Sequence, residues 1–253
     1  MNWIGLQTLI KKEVERFMRV SIQTLVTPWI SAVLYIFVFG SILGSRISTI
    51  EGIKYIHFVL PGILMMNVLT SAFSQSSSSV YFQRFVRSIE EMLVAPLSHA
   101  EMIIGYLVGA VLRAVVIGIG ILIIGLFFNT LTLYNLPLFL FYIIGVSIIF
   151  ALLGILIGLW ANSFEQLSLF GTFILMPLSF LGGMFNSIKM LPSSLRPFAY
   201  FNPLLYFNDG ARYSMTGYHE TNIALGMSMI IISIILLFIL VQYLFNKGWK
   251  LRT

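Results

Sequence analysis

No cysteine occurs in the 253 residues. That excludes disulfides, thiolate metal sites and a thiol nucleophile. Charge is scarce: Asp, Glu, Lys and Arg make up 9% of the chain, against roughly 25% in soluble domains. There is no G-x-x-x-x-G-K-[ST] loop, so the chain has no P-loop with which to cradle ATP. G-x-S-x-G and H-E-x-x-H are missing, and His57, His99 and His219 fall in three separate loops or span ends. Paired acids inside apolar runs are absent, which argues against an intramembrane aspartyl protease or a proton relay. The chain reads as a non-enzyme with no cofactor or metal of its own.

What is abundant is apolar surface. Hydrophobic residues are 58% of the chain, with a mean hydropathy of +0.96. A helix crosses ~30 Å of hydrocarbon with about 20 such residues. Six segments qualify: 27–45, 55–78, 101–128, 136–161, 166–185 and 221–246. The uncharged stretch from Ala114 to Phe164 is too long for one helix, and "NTLTLYNLP" (Asn129 to Pro137) divides it with turn residues. The first twenty residues are charged and amphipathic, unlike a cleavable signal peptide. The expected fold is an all-α integral membrane protein forming one transmembrane domain, 1–253.

The net charge of +6 fits basic loops held on the cytoplasmic side better than it fits nucleic acid. With both termini inside, the inner segments carry Lys11, Lys12, Arg16, Arg19, Arg84, Arg87, Lys247, Lys250 and Arg252. The outer ones carry Arg46, Lys54, Lys189, Arg196 and Arg212. The excess inside sets a multi-pass topology with both termini cytoplasmic.

Between the second and third spans lies "RFVRSIEEMLVAPLSHAE" (Arg84 to Glu101). Phe82, Phe85, Val86, Ile89, Met92 and Leu93 share one helical face, and Gln83, Arg84, Arg87, Ser88, Glu90 and Glu91 occupy the rest. Pro96 stops the helix. A helix over 82–95 is about 21 Å long, too short and too charged to span. It either caps the bundle or docks a soluble partner.

"SIEEMLVAPLSHAEMIIGYLVGAVLRA" resembles the segment after the second span in permeases of the ABC-2 exporter family. "YFNPLLYFNDGARY" (Tyr200 to Tyr213) is similar to that family's Asn-Pro signature. The resemblance covers essentially the whole chain. It implies a bacterial inner-membrane permease that exports a substrate such as a lipid, glycan or drug. Two such chains would pair with two P-loop ATPase subunits, which bind the ATP and magnesium. It implies that 82–95 is the coupling helix, with Arg84, Arg87, Glu90 and Glu91 on the ATPase side. Ile89, Met92 and Leu93 anchor the helix, and Pro96 closes it. It also implies a homodimer contact through the first and fifth spans, where Gly40 and Gly44 would permit close approach. Gly105/Gly109 and Gly154/Gly158 repeat that spacing. An ion-coupled secondary transporter is the alternative, disfavoured by the lack of intramembrane acids.

The segment 3–20 reads as a helix in the membrane interface, in contact with lipid, with Trp3, Leu6, Ile10, Val14, Phe17 and Met18 on one face. It anchors the chain, and in the family it also flanks the ATPase. The outer segment 186–218 has three prolines and many aromatics, which forbid one continuous helix. Re-entrant helices forming an outer gate, with Gly182, Gly183, Asn202, Pro203 and Tyr206, are the functional expectation; a loop of aromatic-belt residues is the plainer one. Arg113, inside the third span, is either functional or satisfied by carbonyls. No acid at matching depth stands out as its partner.

Overall fold

Small polar residues decide where the helices start. The computed structural model describes residues 2–44, 47, 49–50 and 52–251, Ser41 by its backbone alone. Arg46 and Arg252, counted above for topology, lie outside the described residues, as does Ser45. The interface helix α1 (Trp3–Arg19) is capped by the Asn2 side chain. Ser98 and Glu101 form a capping box on α5 (His99–Phe127). Asn135 caps α6 (Leu136–Trp160), Ser163 caps α7 (Phe164–Phe170) and Asn222 caps α11 (Ile223–Asn246). Each cap satisfies amides that a helix start leaves without partners.

Six helical segments are long and apolar enough to cross a membrane: Ile22–Gly40, Tyr55–Phe85, His99–Phe127, Leu136–Trp160, Phe164–Leu181 and Ile223–Asn246. The protein is an all-α integral membrane protein with six such helices, the number expected from sequence; the first lies five residues earlier than that reading and the second ends seven residues later. The first contains α2 (Thr27–Phe37) between wide π-helical turns at Ile22–Val26 and Val38–Leu43. The fifth joins α7 to α8 (Met176–Leu181) through another such turn, Gly171–Leu175. Pro28 and Pro177 each follow a wide turn. A proline has no N–H for the i−4 carbonyl, and an expanded turn ahead of it absorbs the mismatch. A two-stranded hairpin, β1 (Thr49–Ile50) and β2 (Ile53–Lys54), joins the first two spans, with Gly52 at positive φ in its turn.

The second span, α3 (Tyr55–Phe85), is the axis of the bundle. Its 31 residues are about 46 Å long, well beyond the ~30 Å of hydrocarbon. The serine run at 76–79, read from sequence as the exit from the span, does not end the helix. Ser76 Oγ donates to the Ala72 carbonyl at 3.1 Å and Ser78 Oγ to that of Ser74 at 2.6 Å. The hydroxyls bond to their own helix, and it continues. The segment 82–95 is therefore two pieces. Residues 82–85 finish α3, Arg87 turns the chain at φ 58°, and the separate short helix is α4 (Ser88–Val94).

Glycine pairs set the helix spacing. A Cβ on Gly105 would lie 2.4 Å from Leu9 Cδ2, and one on Gly109 would lie 2.6 Å from Glu13 Cβ. This pair seats α1 on α5. A Cβ on Gly154 would lie 2.5 Å from the Phe73 carbonyl oxygen, and one on Gly158 would lie 2.7 Å from that of Ser77. That pair seats α6 on α3. Gly40 faces Ile56 at 3.2 Å. All three contacts lie within one chain.

Hydrogen bonds tie the loops at each end of the bundle. At one end Asn2 Nδ2 donates to the Pro96 carbonyl and His99 Nδ1 lies 2.8 Å from Asn246 Oδ1. At the other, Tyr55 OH donates to the Phe185 carbonyl, and the Tyr134 and Asn135 amides donate to that of Ser214.

Overpacking these seams costs about 1–3 kcal/mol where neighbours can yield. Gly105→Val meets a flexible leucine; Gly154→Val meets backbone. Both should lower the thermal midpoint of the detergent-solubilised protein, Gly154→Val more. Gly171→Ala, with nothing within 4 Å of its Cβ position, should leave it unchanged or slightly raised. Equal midpoints for Gly154→Val and Gly171→Ala would refute this account of the seams.

Candidate functional site: the α4 surface and the polar core beneath it

α4 is fixed on one side and bare on the other. Ile89 is only 1% exposed, packed in a cluster with Val80, Met102, Ile103, Tyr106 and Leu152. Met92 and Leu93 pack against the same cluster. Glu90 and Glu91 are exposed, as are Arg87 and Pro96. Pro96 also holds Asn2 through its carbonyl at 3.2 Å.

Two placements depart from the sequence reading. Arg84 does not share this surface. It is 7% exposed, and its guanidinium donates to the carbonyls of Lys250 at 2.6 Å, Gly158 at 2.9 Å and Ala161 at 3.1 Å. It pins the chain's C-terminal turn to the loop after α6. Phe82, Phe85 and Val86 are 48%, 65% and 47% exposed. They do not continue the anchoring face, because the left-handed residue Arg87 swings α4 out of register with α3.

Beneath α4 lies a group the sequence did not reveal. Glu13 of α1 is 1% exposed. Ser79 Oγ donates to its carboxylate at 2.5 Å, Gln83 Nε2 at 3.2 Å and Gln75 Nε2 at 3.3 Å. Arg16 Nε lies 3.7 Å away, and Arg16 also donates to the Gln75 carbonyl at 2.7 Å. Burial pushes the Arg16 guanidinium below its ordinary pKa, and the Glu13 carboxylate opposes that shift. Arg113 donates to Gln75 Oε1 at 3.0 Å. Gln75 thus bridges the span arginine to the interface-helix acid. Tyr106 donates to Gln83 Oε1 at 2.7 Å and lies 3.7 Å from Met92 Sδ, which brings the network to the underside of α4.

The signal for Glu13 is its spacing. Leu6, Leu9, Glu13 and Phe17 are the buried residues of α1, at i, i+3, i+7 and i+11. Trp3 and Met18, placed from sequence with Leu6 and Phe17 on the apolar face toward the membrane interface, are 63% and 52% exposed. The two apolar flanks pulled the expected face away from the acid.

At the opposite end, Gly182 and Gly183 turn the chain out of the fifth span, Gly183 at φ 68°. Asn208 Nδ2 donates to both of their carbonyls, and Arg212 also donates to that of Gly183. Arg212 reaches the Phe58 carbonyl at 3.2 Å, lies 3.8 Å over the Phe58 ring and 3.5 Å from Asp209. Asp209 accepts from the amides of Glu220 and Thr221. The segment forms a short turn at Ile188–Met190, then α9 (Arg196–Phe201) and α10 (Pro203–Thr216). Asn202 caps α10 and donates to the Leu178 carbonyl at 2.6 Å; Pro203 opens the helix; Tyr206 donates to the Tyr200 carbonyl. Asp209 and Arg212, three apart within "NDGAR", do more to close this end than Tyr206 does.

Removing one partner of a buried charged cluster costs about 3–5 kcal/mol. Glu13→Ala strands four donors and should unfold far earlier in detergent than wild type. Glu13→Gln, which keeps the size and one acceptor, should fall between. Wild-type stability for Glu13→Ala would show that the network carries no weight.

Among the described residues no cluster of His, Asp and Glu could hold a metal ion. Residues 5–216 match the ABC-2 type transporter family. The chain is 35% identical to the inner membrane transport permease YadH of Escherichia coli K12 over 253 residues, covering 100% of this chain and 99% of that one. It is 26% identical over 220 residues to nodulation protein J of Rhizobium leguminosarum bv. viciae, covering 85% and 83%. It is 25% identical over 224 residues to nodulation protein J of Rhizobium meliloti, covering 85% and 82%. A bundle of apolar helices without a nucleotide loop, carrying an anchored acidic helix at one end, accords with that match: the chain belongs to the ABC-2 type transporter family and is a membrane permease subunit of an ATP-binding cassette transporter.

Proposed function

We propose that the chain is the membrane half of a bacterial inner-membrane exporter driven by a separate P-loop ATPase. The observation that carries this reading is α4, whose Ile89 is sunk in the bundle while Glu90 and Glu91 stand free. A helix held this way transmits a push from outside to the helices beneath it. ATP and magnesium belong to the partner. Closure of the ATPase pair moves α4, and the bundle opens outward by alternating access or through a lateral gate. Gly182, Gly183, Asn202, Pro203 and Tyr206, with Asp209 and Arg212 beside them, form the outer closure. Arg87, Glu90 and Glu91 meet the ATPase. Ile89, Met92 and Leu93 seat the helix, Pro96 ends it, and Arg84 ties the turn at Lys250 to the end of α6. Arg113 serves the core network.

Two permeases pair with two ATPases. The first, fifth and sixth spans, with 17%, 17% and 11% of their most apolar residues buried, have apolar surface left for a second copy and for lipid. Both termini face the cytoplasm. The buried acid does not favour ion coupling, since serine, two glutamines and arginine already hold it.

The Glu90→Lys/Glu91→Lys variant should fold normally and lose the ATPase. When the tagged chain is purified from its native membrane in mild detergent, mass spectrometry should find a P-loop ATPase near one to one for wild type and none for the variant. A clean homo-oligomer from wild type, or full recovery of the ATPase by the variant, would sink the proposal.

The absence of cysteine makes topology directly testable. Val94 and Phe201 are 88% and 89% exposed. A membrane-impermeant maleimide added to whole cells should label Phe201→Cys and spare Val94→Cys until the membrane is opened. The reverse pattern would invert the orientation.

A further inference from the structure

Three cations meet where α3 ends. A pocket of about 260 Å³ opens there, lined by Tyr81, Arg84, Phe85, Arg87, Ala161 and Asn162. Lys250 borders it, its Nζ donating to Asn162 Oδ1 at 3.2 Å and to the Trp160 carbonyl at 2.7 Å. No Asp or Glu is among the lining residues. Arg87 is exposed, and its side chain makes no ion pair or hydrogen bond with the described residues.

Arg84 is the fixed part of the site. It is buried, and its Nε and Nη1 donate to the three carbonyls of Lys250, Gly158 and Ala161. Its Nη2 bonds to none of the described residues, yet it is not sealed away. A guanidinium held in place thus keeps one N–H edge open, and the space beside it is this pocket.

The surroundings set the depth. Trp160 closes the fourth span and Phe164 opens the fifth. Both are about half exposed, and Phe85 more so. The Phe164 ring meets Tyr81 edge-on at 4.6 Å and Phe85 at 5.9 Å. Aromatics at span ends sit at the headgroup level. A basic pocket between helices at that level suits a phosphate, and an open guanidinium edge is a strong donor to its oxygens. A choline lipid brings its own cation, which Arg87 and Lys250 repel. A soluble phosphate would leave the exposed rings uncovered.

We propose that this pocket binds the phosphate of an anionic phospholipid. Arg84 Nη2 and Arg87 hold its oxygens, and Phe85 and Phe164 lie against the start of its acyl chains. The site goes beyond the permease reading and needs only that the fourth and fifth spans meet a membrane surface here.

The complex recovered from its native membrane is stripped of lipid in mild detergent and given phosphatidylglycerol or phosphatidylcholine with matched acyl chains. Native mass spectrometry counts bound lipid, and a diazirine-bearing phosphatidylglycerol locates it. Wild type should prefer phosphatidylglycerol, with labelling at residues 81–87 and 160–164. Arg87→Asn, a residue that tolerates the left-handed turn, should weaken the preference roughly fivefold, the effect of one basic residue near a membrane surface. Arg87→Lys should hold it. Lys11→Asp, a charge reversal on the exposed side of α1, should leave it intact. Arg87 also borders the proposed ATPase surface, so lipid is compared among species carrying equal numbers of ATPase chains. Equal binding of the two lipids, or equal loss in Lys11→Asp and Arg87→Asn, would overturn the proposal. So would displacement by soluble glycerol phosphate at matched concentration, or absence of the lipid from every species that carries the ATPase. None of these outcomes bears on whether an ATPase is recovered.

Discussion

A carboxylate removed from water must be surrounded by hydrogen-bond donors, or its burial costs the fold dearly. Glu13 meets that demand with groups from α1 and α3, and Gln75 and Gln83 extend the set to α5. The rest of this end of the bundle follows from the constraint. α1 can lie against α5 only because Gly105 and Gly109 leave room for Leu9 and Glu13. α3 must stay helical through its serine run so that Gln75, Ser79 and Gln83 line up at i, i+4 and i+8. Tyr106 then touches Met92, so the seat of α4 and the buried acid are neighbours in one packed unit.

α3 shows how one helix serves several partners. One face, with Phe73, Ser76 and Ser77, receives the glycines of α6. A second holds the Glu13 network, and Phe73 and Ser77 also border, with Thr70, Ser74 and Ser78, a cleft between the first, second and fifth spans. Small hydroxyl residues make this possible, since they let backbones approach closely and satisfy themselves on their own carbonyls. Large apolar residues would have filled one of these seams and blocked the others.

The spans were legible because an uncharged, apolar run of about 20 residues matches the thickness of a bilayer and is rare in chains that face water. The anchored side of α4 was legible too, since Ile89, Met92 and Leu93 keep helical spacing within a single helix. The boundary failed where periodicity ran across a break. Phe82 and Phe85 match the face of α4 on paper, but Arg87 adopts a left-handed conformation that no spacing rule registers. Glu13 was missed because the second half of α1 is densely charged and a single acid among five other charged residues looks solvated. Its burial depends on α3 and α5, far away in the chain. For the same reason the glycine pairs suggested a subunit seam; spacing marks close approach, not which helix approaches.

The wide turns in the first and fifth spans have a mechanical consequence. Gln23 lies in one, and Gly171 and Leu175 lie in another, so both present residues to the cleft. Each precedes a proline, where the regular ladder is already interrupted and bending meets less resistance than in an unbroken helix. The cleft is thus framed by α3, one continuous helix, and by two jointed posts. Its width is set by side-chain contacts across the gap, such as Phe73 stacked on Phe170 at 5.2 Å. Parting those rings would widen the cleft at the joints.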